Sequence, residues 1–126
     1  MKIIKNILPL LIFLFSIQGC AQNDSSHSIT VNGFKEKINN SDSVMVILDV
    51  RTDEELTGPL LKIDGAVHIP VQEIERRVDE LEKYKDKELV VVCRTQNRSS
   101  RAAEFLRGKG YNAKYVNGGM QEYYKK

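Results

Sequence analysis

The chain has 126 residues, 41% of them hydrophobic and 29% charged, which suits one small globular domain. Its formal charge of +2 is that of Lys2 and Lys5; beyond them basic and acidic residues balance, and no basic stripe interleaved with aromatics points to nucleic acid. Two cysteines and two histidines, His27 and His68, are too few and too scattered for a disulfide scaffold or a metal site, and no Walker or dinucleotide glycine pattern calls for a cofactor.

Met1 to Asn6 carries two lysines, and Ile7 to Ile17 is almost wholly apolar, too short to span a bilayer and fitting a signal-peptide core. The run ends in Ile17-Gln18-Gly19-Cys20, which resembles the lipobox of bacterial lipoproteins, Gln18 being the one departure. The resemblance implies that residues 1–19 are removed and that Cys20 is acylated. The protein would then be anchored in a bacterial membrane on its extracytoplasmic, periplasmic side. Ordinary secretion, cut after Gly19 or Ala21, and an uncleaved anchor are the alternatives. Residues 20–28 are polar and aperiodic after the cysteine and form a tether to a domain over residues 29–126. With Cys20 acylated, Cys93 is the only free thiol left.

In that domain Ser28 to Val31 reads as a short strand, and Phe34 and Ile38 mark a helix ending at Asn39-Asn40. Val44 to Val50 is a continuous apolar run, hence a strand covered on both faces, with Asp49 and Arg51 at its end. Asp53 is expected to cap a short helix over Glu54 to Leu56. Thr57 to Gly65 is irregular around Gly58-Pro59. Ala66 to Ile69 is another strand, stopped by Pro70. Val71, Ile74, Val78 and Leu81 give helical spacing up to Tyr84. Leu89 to Val92 is a buried strand, Ser99 opens a helix that closes at Gly108 or Gly110, Ala113 to Val116 is the last strand, and Met120 to Tyr124 a terminal helix. Strands alternating with helices predict an α/β fold, a small five-stranded parallel sheet with helices on both faces.

The chemistry concentrates after Val92. Cys93 ends a core strand, the polar loop Arg94 to Arg98 follows, and a helix begins at once. Ligands of open α/β folds bind outside the carboxyl ends of strands. A helix N-terminus offers unpaired N–H groups and partial positive charge, and Arg94, Arg98 and Arg101 add full charges, so this setting favours a thiolate nucleophile. A buried, inert strand-end cysteine is the plainer alternative. No Leu, Val or Ile occurs from Arg94 to Arg101, which argues against it. With no nearby base, thiolate formation falls to dipole, amides and arginines.

Four blocks match a known family in order: LDVRTDEEL (Leu48 to Leu56), GAVHIP (Gly65 to Pro70), the loop and helix CRTQNRSSRAAEFLRGKGY from Cys93, and VNGGM (Val116 to Met120). Together they resemble the rhodanese family of sulfurtransferases. Three departures stand out: Leu60-Leu61-Lys62-Ile63 near where the family has Gly-His, Gln96 where it often has Gly, and Tyr123 or Tyr124 where a Trp commonly follows the Gly-Gly-Met turn. The resemblance implies that Cys93 carries a persulfide, taking sulfur from a small anionic donor such as thiosulfate and passing it to cyanide or a thiol. Cys93 is then the catalytic residue, and Arg94, Thr95, Gln96, Asn97, Arg98 and Ser99 surround the substrate. Arg94 is expected to hold a sulfonate, and Arg98 to brace the loop or the anion. Asp49 and Arg51 give structural support, with Arg51 within reach of the site mouth, and His68 has no catalytic part. A monomer is expected. Two other readings are a membrane-tethered persulfide carrier without turnover and a Cys-loop phosphatase or arsenate reductase. The related phosphatases have one more residue between Cys and Arg than the four that separate Cys93 from Arg98.

Overall fold

The computed structural model describes residues 26–126. The apolar leader, Cys20 and the first part of the tether lie outside the described residues. Strands β1 (Ser28–Ile29), β2 (Met45–Asp49), β3 (Val67–His68), β4 (Glu88–Val92) and β5 (Asn112–Val116) form one sheet in the order β1-β5-β4-β2-β3. Every pairing is parallel, with Val91 facing Leu48 on one side and Tyr115 on the other. Parallel strands need crossovers, and helices α1 (Val31–Asn39), α2 (Asp53–Leu56), α3 (Ile74–Arg77), α4 (Asn97–Gly108) and α5 (Gly119–Tyr123) lie in the connections or at the end.

The pleat sorts the apolar residues into two layers. Leu48, Val50, Leu89, Val91, Cys93 and Ala113 face Ile74, Leu81, Ala102, Ala103 and Leu106 on one side of the sheet. Val90, Val92 and Val116 face Phe34 and Met120 on the other, with Tyr123 set edge-on to Phe34 at 5.7 Å. Both faces are therefore covered, as the unbroken apolar runs of β2 and β4 require.

Local chemistry moves several boundaries. Thr30, read as strand, caps α1: its Oγ1 accepts the Gly33 N–H at 3.1 Å, so β1 stops at Ile29. The cap of α2 is Thr52 rather than Asp53. Its Oγ1 accepts from Glu55 N at 3.3 Å while Glu55 Oε2 accepts from Thr52 N at 2.9 Å, a reciprocal capping box. The segment expected as one helix to Tyr84 is α-helical only over Ile74–Arg77, between 3₁₀ turns at Val71–Glu73 and Val78–Tyr84. Spacings of three, Val71 to Ile74 and Val78 to Leu81, fit 3₁₀ turns, where residues three apart eclipse. Helix α4 begins at Asn97, two residues before Ser99, its opening bond running from Ser100 N to the Gln96 carbonyl at 2.9 Å. Among the described residues no helix is long and apolar enough to cross a membrane.

Candidate active site

Cys93 leaves the carboxyl end of β4, the strand between β2 and β5, and its side chain is 1% exposed. The thiol donates to Ser99 Oγ at 3.3 Å and accepts the Ser99 backbone N–H at 3.4 Å. Ser99 Oγ donates in turn to the Gln96 carbonyl at 3.2 Å. The sulfur thus lies at the N-terminal end of α4, a twelve-residue helix. Among the described residues, no backbone N–H from Arg94 through Arg98 has a protein acceptor. Five successive unpaired donors at a helix N-terminus are available to an anion.

The carbonyls of the same loop are held from behind by α5. Met120 N donates to Cys93 O and Gln121 N to Arg94 O, each at 2.9 Å, and Gly118 N donates to the Gln96 side-chain oxygen at 3.1 Å. Gly119 sits at φ 58, and a Cβ there would lie 1.8 Å from Thr95 O and 2.5 Å from Cys93 O. Only glycine permits this approach. Gln96, where the resemblance often has glycine, thus ties the loop to α5.

The arginines divide. Arg98 Nη1 and Nη2 donate to the two carboxylate oxygens of Glu55 at 2.7 and 2.6 Å, so its guanidinium braces the loop against α2. Those bonds hold the Glu55 carboxyl down at about 2, well below its usual 4.5. Arg94 is exposed, and its guanidinium has no hydrogen bond or ion pair among the described residues. With Arg51, Leu60 and Gln121 it lines a cavity of about 260 Å³. Thr95, Gln96 and Asn97 are exposed and line an adjoining depression of about 650 Å³ with Leu60 and Tyr124. Arg101 lines a separate depression with Val71 and Phe105, away from any loop residue.

Asp49 and Arg51 form a buried pair, each 1% exposed, with Arg51 Nη2 on Asp49 Oδ2 at 2.7 Å. Arg51 Nη1 also donates to Leu60 O at 2.6 Å, so the pair ties the β2 end to the 57–65 loop. His68 Nε2 lies 2.7 Å from Arg51 O. Glu55, Gly119 and Gln121 were not singled out in the sequence. The Thr52-x-x-Glu55 spacing and the paired glycines were the available signals, but nothing in the sequence says that Glu55 finds Arg98, 43 positions away.

A model of the family described as "Rhodanese-like domain" matches residues 30–126. This chain belongs to the rhodanese-like family. The Bacillus subtilis "Putative sulfurtransferase YtwF" is 37% identical over 92 residues, covering 73% of this chain and 84% of that one. The Bacillus subtilis "Putative sulfur carrier protein YrkF" is also 37% identical over 92 residues, covering 72% of this chain and 47% of its own length. Among solved structures, a rhodanese-related protein of Thermoplasma volcanium is similar with a TM-score of 0.66 and 34% identity, over 77% of this chain and 89% of that one. The chain has the rhodanese-like fold, a five-stranded all-parallel sheet with helices.

Proposed function

We propose that this rhodanese-like chain is a thiosulfate-type sulfurtransferase whose intermediate is a persulfide on Cys93. The observation that carries the reading is the Cys93 sulfur held at the N-terminal end of α4 by the Ser99 N–H, beside a loop whose N–H groups from Arg94 to Arg98 have no protein acceptor among the described residues. The Cys93 thiolate attacks the outer sulfur of thiosulfate; the S–S bond of the donor breaks and its electron pair leaves with sulfite. The charge then rests on the outer sulfur of Cys93–S–S⁻, where the loop amides and the α4 N-terminus stabilise it. Cyanide or a thiol next attacks that sulfur, and the electron pair of the breaking S–S bond returns to Cys93. Ser99 serves both states, its hydroxyl turning from the Gln96 carbonyl toward the sulfur when the thiol proton is lost. Arg94, free and exposed, receives the donor's sulfonate.

A phosphatase reading is disfavoured because Arg98 is bound on both sides of its fork by Glu55 and the loop is short. The test is thiocyanate formation from thiosulfate and cyanide, set beside hydrolysis of an aryl phosphate. Thiocyanate that vanishes in Cys93→Ser supports the transferase. Faster aryl-phosphate hydrolysis than sulfur transfer would overturn it, and a lasting persulfide with no thiocyanate would make the protein a carrier. For localisation, the Cys20 motif supports a lipid anchor on the extracytoplasmic face. Cys20→Ala should then move the protein from the membrane fraction to the soluble one, and unchanged fractionation would contradict the anchor.

A further inference from the structure

Arg94 follows Cys93 directly, so an anion that meets its guanidinium lies beside the nucleophile. The cavity of about 260 Å³ that Arg94 lines has three other polar side chains in its wall, Arg51, Glu55 and Gln121. Two of those are already committed within the protein. Arg51 is held by Asp49 and by the Leu60 carbonyl. Glu55 is held by both nitrogens of the Arg98 fork and by the Thr52 N–H. Each charge is balanced by its own partner, which leaves the charge of Arg94 uncancelled. Gly58, Pro59 and Leu60 complete the wall and offer no polar side chain. The other acidic groups of this region line different depressions. Glu122 is paired with Lys125 beside Tyr124, and Asp64 stands with Ile63 and Gly65.

Arg94 and Gln121 are therefore the two side chains of this cavity left for a ligand. Both are exposed, and neither side chain has a hydrogen bond or ion pair among the described residues. The backbone fixes them as neighbours, because Gln121 N donates to Arg94 O at 2.9 Å while Met120 N donates to Cys93 O. A carboxamide adds two N–H donors without adding charge. Resting on the donor reading above, we infer that Gln121 is a second binding residue for the sulfur donor. Its carboxamide N–H groups and the Arg94 guanidinium take different oxygens of the donor's anionic end and turn the outer sulfur toward Cys93. Arg94 supplies attraction that any anion satisfies. Gln121 supplies direction, from a backbone tied to the reactive loop.

The test separates the two halves of a ping-pong reaction, since kcat/KM for thiosulfate reports the first half and kcat/KM for cyanide the second. Gln121→Leu should lower kcat/KM for thiosulfate about tenfold, the loss of a hydrogen bond to a charged group, and leave kcat/KM for cyanide within about twofold. Gln121→Lys keeps an N–H donor and should hold kcat/KM for thiosulfate at or above the wild-type value. A residue that only shaped the loop would lower both constants, and lysine would harm it as much as leucine. Binding without turnover is read by calorimetric titration of thiosulfate into Cys93→Ser. Adding Gln121→Leu to that variant should weaken Kd about tenfold, and adding Gln121→Lys should not weaken it. Equal losses for thiosulfate and cyanide, equal harm from lysine and leucine, or a titration that shows no binding or no weakening would overturn the inference. A wild type that forms no thiocyanate, beside a Cys93→Ser protein that binds thiosulfate through Gln121, would strike the proposed function and leave the binding site standing.

Discussion

Glu55 and Arg98 join α2 to the loop by two short hydrogen bonds, while Arg94 leaves the same loop with its charge free. The same residue type therefore braces the loop at one position and, on the function proposed above, binds the donor at the other. The Glu55 side chain is 27% exposed, so the pair contributes about 1–2 kcal/mol rather than its full electrostatic value. Its carboxyl is depressed in the fold, to about 2 from 4.5, so the contribution is fully present above pH 4.5 and is lost as pH falls toward 2. Glu55→Gln should lower stability at neutral pH by about 1–2 kcal/mol and flatten the loss between pH 4.5 and 2, measured by urea unfolding across pH. Arg94→Ala should leave stability alone and raise KM for thiosulfate more than it slows an uncharged donor. Equal effects on both donors would assign Arg94 to loop structure instead.

Helix α5 is the element that shapes the loop, although it contributes no side chain to the sulfur. Met120 N and Gln121 N hold the Cys93 and Arg94 carbonyls, while the N–H groups from Arg94 to Arg98 have no protein acceptor among the described residues. Gly119 makes this possible, at φ 58 and with no room for a Cβ beside Thr95 O. Gly119→Ala should cost roughly 2–4 kcal/mol and reduce sulfur transfer beyond what the stability loss explains, read as activity at a temperature where the variant is fully folded. Full activity there would show that the loop keeps its shape without α5. The unbroken runs VMVILDV and LVVV predicted buried strands, and both lie inside the sheet rather than at its edges, because burial on two faces leaves a plain apolar signature. Cys93, Arg94 and Ser99 were legible for a similar reason, since a polar loop between strand and helix is local in sequence. The Thr52 cap and the bracing of Arg98 by Glu55 were not, the first hidden by an equally good capping residue next to it, the second made only by folding.

Across the whole molecule, β4 lies between β5 and β2, and its carboxyl end is reached by three surrounding pieces: α2 through Glu55, the 57–65 loop through Arg51, and α5 through its backbone. Their junction is the crevice where an open parallel sheet binds ligands. The fold leaves Cys93 1% exposed at the end of β4, its sulfur accepting the Ser99 N–H at the N-terminal end of α4. The most direct measurement is the intact mass of the protein after thiosulfate treatment and removal of excess donor. One added sulfur atom is expected, absent in Cys93→Ser and lost again from the wild type on adding cyanide as thiocyanate appears. An unchanged mass in the wild type, or the same added sulfur in Cys93→Ser, would contradict the account.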